Sequence, residues 1–273
     1  MRKPPFTPTS RARGALLGAA TGWALTGAAR GEPALTRALA EELAEGKTDL
    51  RQLALRWVEL YLAEPESVSP ETAAALDHLA RHHAPPEAPV GQGSEPIARC
   101  LPVALAAAGS PRTLVSATYH IAALTHPEPR VAWAAVAVNL AAGRFLLGKR
   151  DFVADVIEAL RANAAPEVLV EAARRVPVER RDAIPALSAM AGDAVACAEV
   201  ALWLAYHEPV AERGLRWLAA GGGGGAGAAA AGGLLGARDG VECLPSPAIA
   251  GTADADIWCR LADRLAPALA TAG

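Results

Sequence analysis

Side chains able to bind a metal ion or transfer a proton are few and scattered in this chain of 273 residues. Of its 6 histidines, His78 and His82 are four residues apart, so they share one face of a helix and could hold a metal ion. No carboxylate or cysteine stands at a matching spacing, and the pair, with His83, precedes a Pro-Pro loop. A solvated helix end is therefore the simpler interpretation.

Two further stretches carry groups suited to acid–base chemistry. In "GQGSEP", Ser94 and Glu95 stand at a predicted helix start, where a serine normally caps the first turn. His126 lies between Thr125 and Pro127 in a predicted interhelical loop, where a histidine makes a structural hydrogen bond or faces a cleft.

Asp254 and Asp256 form the one tight D-x-D pattern, and the simpler interpretation is that they cap the last helix and complement its dipole. The chain has neither a G-x-S-x-G nucleophile elbow nor a Walker glycine loop. No single motif therefore defines an active site.

The most unusual segment is "WLAAGGGGGAGAAAAGGLLGARDG", which covers residues 217–240. A flexible linker would carry serine or charge, whereas this glycine run continues into an apolar Ala/Leu stretch typical of a buried helix. Near the other end of the chain, "GALLGAATG" has small residues every four positions. That spacing indicates a helix in close contact with a neighbour.

The composition predicts an all-α protein. Hydrophobic residues make up 52% of the chain and aromatic residues only 4%, so alanine and leucine, the best helix formers, dominate the apolar content. A net charge of −3 without a basic stripe gives nucleic acid nothing to bind. The four cysteines, Cys100, Cys197, Cys243 and Cys259, lack C-x-x-C spacing, which favours reduced thiols.

The first residues, "MRKPPFTPTSRAR", are basic and precede an apolar stretch, as in a secretory signal. That stretch is rich in glycine, poor in leucine and too short to cross a membrane, so we expect a cytoplasmic protein without a membrane partner. We predict a flexible arm over residues 1–10 and one helical domain over residues 11–273. Within that domain we expect Gly46 to end a helix, Asp49 or Thr48 to cap the next, and Ser69 with Pro70 to begin another.

Three stretches, taken in order, resemble the ADP-ribosylglycohydrolase family. "RARGALLGAATGWAL" is similar to the family's opening segment, and "GQGSEPIARCLPVAL" with "THPEPRVAWAAVAVNLAAGRFLLG" resembles its G-N-G, Arg, Pro segment and its T-H-x-x-P helix. The glycine segment resembles the family's late G-G-D-x-D-T motif, in register from residue 221 to 240. The resemblance implies a single all-α domain, two Mg²⁺ ions in a central cleft, and hydrolysis of glycosidic bonds of ADP-ribose.

The positions that resemble the family's metal ligands lack most of the carboxylates. Gly223 and Gly225 stand where the late aspartates belong, and Ala226 replaces the threonine. Arg30, Gly31 and Glu32 stand where the resemblance places an early T-D-D motif. Since a glycine offers Mg²⁺ only a main-chain carbonyl, we expect no bound metal and no metal-ligand residues.

Three hypotheses follow from this loss. The first is a family-like protein that has lost the two-metal site and its hydrolase activity and acts as a binding or scaffold protein for an unspecified partner. Arg30 and the segment Gly222, Gly223, Gly224, Gly225 and Ala226 could then form an anion or phosphate pocket at a helix N-terminus. The second is a metal-independent enzyme acting on a small metabolite through Glu32, Glu95, His126 or Arg30. The third is a hydrolase that retains its metals through other acids.

Overall fold

The architecture is built entirely from helices in the part of the chain that the computed structural model describes, residues 6–27, 31–46, 49–88, 91–222 and 224–270. The α-helices are α1 Pro8–Leu25, α2 Gly31–Ala44, α3 Leu50–Ala63, α4 Pro70–His82, α5 Glu95–Arg99, α6 Leu101–Ala107, α7 Pro111–Ala123, α8 Pro129–Leu146, α9 Val153–Ala162, α10 Glu167–Arg175, α11 Ala194–His207, α12 Ala211–Gly221, α13 Gly224–Asp239, α14 Ser246–Ala250, α15 Ala255–Leu265 and α16 Pro267–Ala270. Short 3₁₀ helices span Pro65–Ser67, Leu187–Ala191 and Val241–Cys243. The predicted all-α class is confirmed.

Helices α1 and α13 form the centre of the molecule. Both are buried nearly all round, as expected of helices whose sequences are apolar or small on every face. A Cβ atom added at Gly14 would lie 2.3 Å from the carbonyl oxygen of Gly236, and one at Gly18 would lie 2.3 Å from that of Gly232. The two backbones therefore touch, which confirms the contact predicted from the small-residue spacing.

Other helices surround this central pair. Helices α8 and α11 pack against α13 and against each other, α5 packs on α13 and α8, and α15 covers α1. The buried apolar side chains form one continuous cluster through all of these elements. The site described below lies where α2, α4 and α5 meet the loop between α7 and α8.

The chain ends its helices as the sequence predicts. Gly46, in the left-handed conformation at a φ of 72°, follows the end of α2. Asp49 caps α3 by accepting hydrogen bonds from the backbone of Arg51 and Gln52. Ser69 caps α4, with Pro70 at its first position.

The start of the first helix differs from the prediction, which placed residues 8–10 in an arm. Helix α1 begins at Pro8 because Thr7 caps it, its hydroxyl accepting a hydrogen bond of 3.1 Å from the backbone N–H of Ser10. A proline at the first helical position lacks only an N–H that would be unpaired there. Residues 1–5 lie outside the described residues.

In the described residues, no helix combines the length and the apolar character that crossing a bilayer requires. All four cysteines are free thiols, as the absence of paired spacing suggests. Burial raises the pKa of Cys100 and of Cys197 to about 12, so both side chains behave as small apolar groups.

Candidate functional site

The three residues proposed for acid–base chemistry come together around one buried arginine. Glu32 lies in the first turn of α2, Glu95 begins α5, and His126 follows α7. The arginine, Arg99, ends α5 and is 1% exposed. With Thr72 and Thr125, these residues form what we term the polar cluster: Glu32, Thr72, Glu95, Arg99, Thr125 and His126.

Arg99 organises the polar cluster through its guanidinium. Its Nη2 donates to Glu32 Oε2 at 2.6 Å and to Thr72 Oγ1 at 2.9 Å, and its Nε donates to the same carboxylate oxygen at 3.2 Å. Its Nη1 donates to Thr125 Oγ1 at 2.7 Å, and the guanidinium carbon lies 5.2 Å from the centroid of the Trp57 ring. The cation is thus paired and hydrogen-bonded, as a buried charge must be.

Thr125 connects this ion pair to the imidazole of His126. The Thr125 oxygen accepts from Arg99 and lies 3.1 Å from His126 Nδ1. Donation of the threonine proton to Nδ1 leaves His126 carrying its own proton on Nε2. That nitrogen lies 3.9 Å from Glu95 Oε2, beyond the range of a direct hydrogen bond.

Burial determines the protonation states of Glu95 and His126. It raises the pKa of Glu95 to about 7, with a further contribution from the negative charge of Glu32. It lowers the pKa of His126 to about 3, an effect that the neighbouring Arg99 cation increases. At neutral pH the imidazole is therefore uncharged, and the Glu95 carboxyl exchanges readily between its acid and its carboxylate.

Four buried polar atoms in and beside the polar cluster lack a hydrogen-bond partner within the described residues: Glu32 Oε1, Ser94 Oγ, Glu95 Oε2 and His126 Nε2. Such atoms are rare in folded proteins, because burial without a partner is unfavourable. A Cβ atom added at Gly93 would lie 2.3 Å from Glu95 Oε2 and 3.4 Å from His126 Nε2. The Glu95 carboxyl thus packs directly against Gly93 and occupies the position that a side chain there would need.

The expected role of Ser94 as a helix cap is wrong. Its side chain makes no capping hydrogen bond, and its backbone is already in the helical region with φ of −95° and ψ of −1°. A cap normally adopts an extended conformation, which lets its oxygen reach back to the first turn. The hydroxyl is buried instead.

Arg99 and Thr125 lie within the segments that resemble the family, but neither was named as a candidate site residue, and nothing in the sequence singled out Thr72. A signal was available for Arg99, because it stands alone among apolar residues in "PIARCLPVAL". A buried arginine requires a carboxylate or several acceptors. Nothing in the sequence identifies which acceptors those are.

The start of the glycine segment packs closely on a neighbouring element. Gly224 begins α13, and a Cβ atom there would lie 2.8 Å from the Cβ of Ala191. Gly225 is half-buried and Ala226 is buried, whereas Gly222 is exposed in the left-handed conformation. Tight packing on the 3₁₀ helix Leu187–Ala191 thus accounts for part of the glycine run. Arg30 and Gly223, the other two members of the proposed pocket, lie outside the described residues.

The remaining candidate residues, two histidines of α4 and two aspartates near the start of α15, lie at helix ends. The His78 and His82 rings contact each other, their centroids 4.4 Å apart, near the C-terminal end of α4. Asp254 occupies the capping position of α15, but its side chain makes no capping bond and instead accepts from Arg37 at 2.9 Å. Asp256 lies in the first turn of that helix, where a negative charge complements the dipole.

The described residues do not fit a pair of Mg²⁺ ions. They contain no group of three or more histidine, cysteine, aspartate or glutamate side chains arranged to hold a metal ion. One oxygen of Glu32 is already engaged by Arg99, and Gly222, Gly224 and Gly225 offer only main-chain carbonyls. Mg²⁺ requires near-octahedral oxygen ligands that usually include carboxylates.

Comparison with solved structures identifies the fold as that of an ADP-ribosylglycohydrolase. A chain described as "ADP-ribosylglycohydrolase-related protein complex" superposes with a TM-score of 0.78 and covers 95% of this chain and 98% of its own. Its sequence is 22% identical, so the likeness concerns architecture. No curated protein matches the sequence.

The family model for ADP-ribosylglycohydrolase matches residues 5–273. The chain belongs to the ADP-ribosylglycohydrolase family. The resemblance drawn from three sequence stretches is therefore confirmed over nearly the whole chain.

Proposed function

We propose that this chain is a metal-independent member of the ADP-ribosylglycohydrolase family that binds a small hydroxyl-bearing ligand at the polar cluster and does not perform two-metal hydrolysis. The observation that carries the proposal is the state of Glu32. This carboxylate is the one acid at the described positions that resemble the family's metal ligands, and it is committed to Arg99 at 2.6 Å.

The unpartnered atoms of the polar cluster support a ligand that both accepts and donates hydrogen bonds. His126 Nε2 is available as a donor, whereas Glu32 Oε1 is an acceptor and Glu95 Oε2 is an acceptor whenever its carboxyl is ionised. A hydroxyl group satisfies both kinds of partner. A phosphate only accepts at neutral pH and would be repelled by the two carboxyls.

A phosphate-bearing part of the same ligand is a further element of the proposal. Gly222 lies in the connection between α12 and α13, and Gly224, Gly225 and Ala226 form the first turn of α13, where unpaired N–H groups favour an anion. A ligand similar to ADP-ribose contains both hydroxyl and phosphate groups. It would place its hydroxyls at the polar cluster and its phosphates toward this connection.

Metal analysis and an activity assay test the proposal together. Purified protein incubated with millimolar Mg²⁺ is expected to contain no stoichiometric metal, and an ADP-ribosylated peptide is expected to release no ADP-ribose with or without EDTA. Two equivalents of bound Mg²⁺ with EDTA-sensitive release would identify a retained hydrolase instead.

Ligand binding is tested by titrating ADP-ribose and ribose into the protein in a calorimeter. His126→Phe removes the Nε2 donor, and is expected to weaken binding of either ligand about tenfold or more. Glu87→Gln, at an exposed loop position, is the matched control. Binding that is equal in the wild type and in both variants would rule out the polar cluster as the site.

A metal-independent enzyme is a second candidate, favoured by the geometry of Glu95 and His126. The 3.9 Å separation of their side-chain atoms allows both to contact one substrate atom, and a carboxyl with a pKa of about 7 suits general acid–base catalysis. Such an enzyme acting on a small metabolite would show a rate that changes near pH 7. Glu95→Gln would abolish that change, whereas a binding protein turns over no substrate.

A further inference from the structure

A second group of charged side chains, which shares no residue with the polar cluster, lies at the C-terminal end of α13. Asp239, the last residue of α13, accepts from Arg150 Nη2 at 2.9 Å through Oδ1 and from Arg238 Nε at 3.0 Å through Oδ2. Arg11, the fourth residue of α1, approaches the same place from another side. We call Arg11, Arg150, Arg238 and Asp239 the arginine corner.

Arg11 reaches the arginine corner across the end of α8. A Cβ atom added at Gly148 would lie 2.5 Å from Arg11 Nη1, so the guanidinium lies directly on the backbone of this glycine. Gly148 has a φ of 79°, in the left-handed region, and Arg150 follows two residues later. The two arginines therefore meet at one surface, one from α1 and the other from the connection between α8 and α9.

Arg11 has no counterion in the part of the chain that the structure describes. Its side chain makes no hydrogen bond and no ion pair there, and its Nε is buried without a partner. Its two Nη atoms are not buried, so they are open to a ligand. Arg13, two residues later in the same helix, is by contrast paired with Asp263 through two hydrogen bonds of 2.7 Å. A guanidinium removed from water normally has such a partner.

The other carboxylates near the arginine corner are engaged elsewhere. Glu242 accepts a hydrogen bond from the Ser10 hydroxyl, and Asp151 and Asp155 lie 3.6 Å and 2.7 Å from the guanidinium nitrogens of Arg144. Within the corner, both oxygens of the one aspartate already accept from arginine. The corner therefore has three guanidinium groups and a single carboxylate, which leaves positive charge without a counterion.

The electrostatics of Arg11 agree with this surplus of positive charge. Burial lowers the pKa of Arg11, the charge of Arg150 lowers it further, and the charge of Asp239 opposes them with a smaller effect. Cations held close together are stabilised by an anion that they share. A phosphate group carries about 1.5 to 2 negative charges at neutral pH and accepts hydrogen bonds from arginine on several oxygens.

We propose that the arginine corner binds a phosphate group through Arg11 and Arg150. The Nη atoms of Arg11 donate to the ligand from α1. Arg150 uses only Nη2 for Asp239, and its side chain is 69% exposed, so its Nη1 and Nε are available from the other side. A carboxylate would neutralise less of the surplus charge than a phosphate does. This site does not depend on the polar cluster or on its proposed ligand.

Nuclear magnetic resonance of arginine side chains tests the proposal in protein labelled with ¹⁵N-arginine. The Arg11 Nε–H signal is the one that Arg11→Gln removes. Inorganic phosphate at constant ionic strength is expected to shift this signal in the wild type until it saturates, and to bind at least about tenfold more tightly than acetate.

Two variants locate the phosphate in the same titration. Arg150→Gln is expected to weaken phosphate about tenfold or more, because it removes a donor and frees Asp239 to pair with Arg11. Arg130→Gln changes an exposed arginine in the first turn of α8. It is the matched control and is expected to bind phosphate as the wild type does.

Thermal unfolding separates ligand binding from a purely structural role of Arg11. Without phosphate, Arg11→Gln is expected to unfold at the same temperature as the wild type or at a higher one, since it removes a charge that lacks a counterion. Phosphate is expected to raise the Tm of the wild type more than that of Arg11→Gln, because a ligand stabilises the state that binds it. Arg130→Gln measures the general effect of the salt.

Glycerol 3-phosphate distinguishes the two sources of a phosphate group. Tighter binding than that of inorganic phosphate would identify a phosphorylated small molecule, and equal binding the free ion. Three results would overturn the proposal: equal affinity for phosphate and acetate, an Arg11 signal that phosphate does not shift, and a lower Tm of Arg11→Gln without phosphate. The last would show that the protein itself supplies a partner for Arg11.

Discussion

Replacing Glu95 by glutamine is expected to change how the stability of the protein depends on pH. Burial, with the nearby negative charge of Glu32, raises the pKa of this carboxyl from 4.5 to about 7 in the folded protein. Between these two pH values the folded protein holds a proton that the unfolded chain has lost. Linkage then requires the free energy of unfolding to fall as the pH rises through this interval.

The size of the effect follows from the pKa. Each pH unit of difference corresponds to about 1.36 kcal/mol, so the change from 4.5 to about 7 amounts to about 3 kcal/mol. The contribution is fully present below pH 4.5 and is lost as the pH rises through 7. Glutamine carries no titrating proton, so the variant lacks this dependence.

The titration of His126 changes the stability with pH in the opposite direction, so its contribution must be separated from that of Glu95. Its pKa is lowered to about 3 in the folded protein, so its contribution to stability is present above pH 6.5 and is lost as the pH falls. The two contributions partly cancel in the wild type. The quantity to measure is therefore the difference in unfolding free energy between the wild type and Glu95→Gln. His126 is present in both proteins, so its contribution cancels in this difference.

Urea unfolding at pH 5, 6, 7 and 8 gives this difference directly. The stability of the wild type relative to Glu95→Gln is expected to fall by roughly 2–3 kcal/mol over this range. Glu71, Glu32 and Arg99 also act on Glu95 and are present in both proteins. Glu87→Gln, which changes an exposed carboxyl, is expected to follow the wild type at every pH. Parallel pH profiles of stability for the wild type and Glu95→Gln would refute the raised pKa of Glu95.

Three further substitutions test the fold and the site. Arg99→Met leaves Glu32 buried without its partner and is expected to reduce the free energy of unfolding by about 3–5 kcal/mol in urea. Replacing both residues by methionine should recover part of that loss, and an equal or larger loss in the double variant would contradict the pairing. Gly18→Ala places a Cβ atom 2.3 Å from the Gly232 carbonyl oxygen, so we expect the free energy of unfolding to fall by about 1–3 kcal/mol or more. Gly192→Ala is the control, because no atom lies within 4 Å of the added group, and should leave the stability nearly unchanged. Gly93→Ala would displace the Glu95 carboxyl, because the added Cβ atom would lie 2.3 Å from its Oε2, and titration calorimetry should then show weaker binding of ADP-ribose. Unchanged affinity would indicate that this carboxyl takes no part in binding.

Local sequence patterns predicted the helices and their ends because the responsible forces act within a few residues. The capping by Asp49 and Ser69 depends on one side chain and the next turn of backbone. The glycine and alanine spacing of α1 likewise indicated a close helix contact. It could not identify the partner, because α13 lies at the far end of the chain and its own glycines are equally compatible with several neighbours.

The site was predictable only as separate candidates. Glu95 and His126 were identified from residue type and position, and Glu32 from the family resemblance. Their convergence depends on Arg99, which links α2 to α5 and to the loop after α7. Such pairing is a property of the tertiary structure. The capping expected of Ser94 failed for the same reason, since packing of the loop before α5 determines the backbone conformation at that position.

The contact between α1 and α13 has a consequence for biosynthesis. Helix α1 leaves the ribosome long before α13, the helix that buries it, has been translated. Native pairing of segments so distant in sequence is entropically slow. During that interval the apolar stretch of α1 after Arg13 is exposed to the surrounding medium, which makes it a natural substrate for chaperones that hold nascent chains.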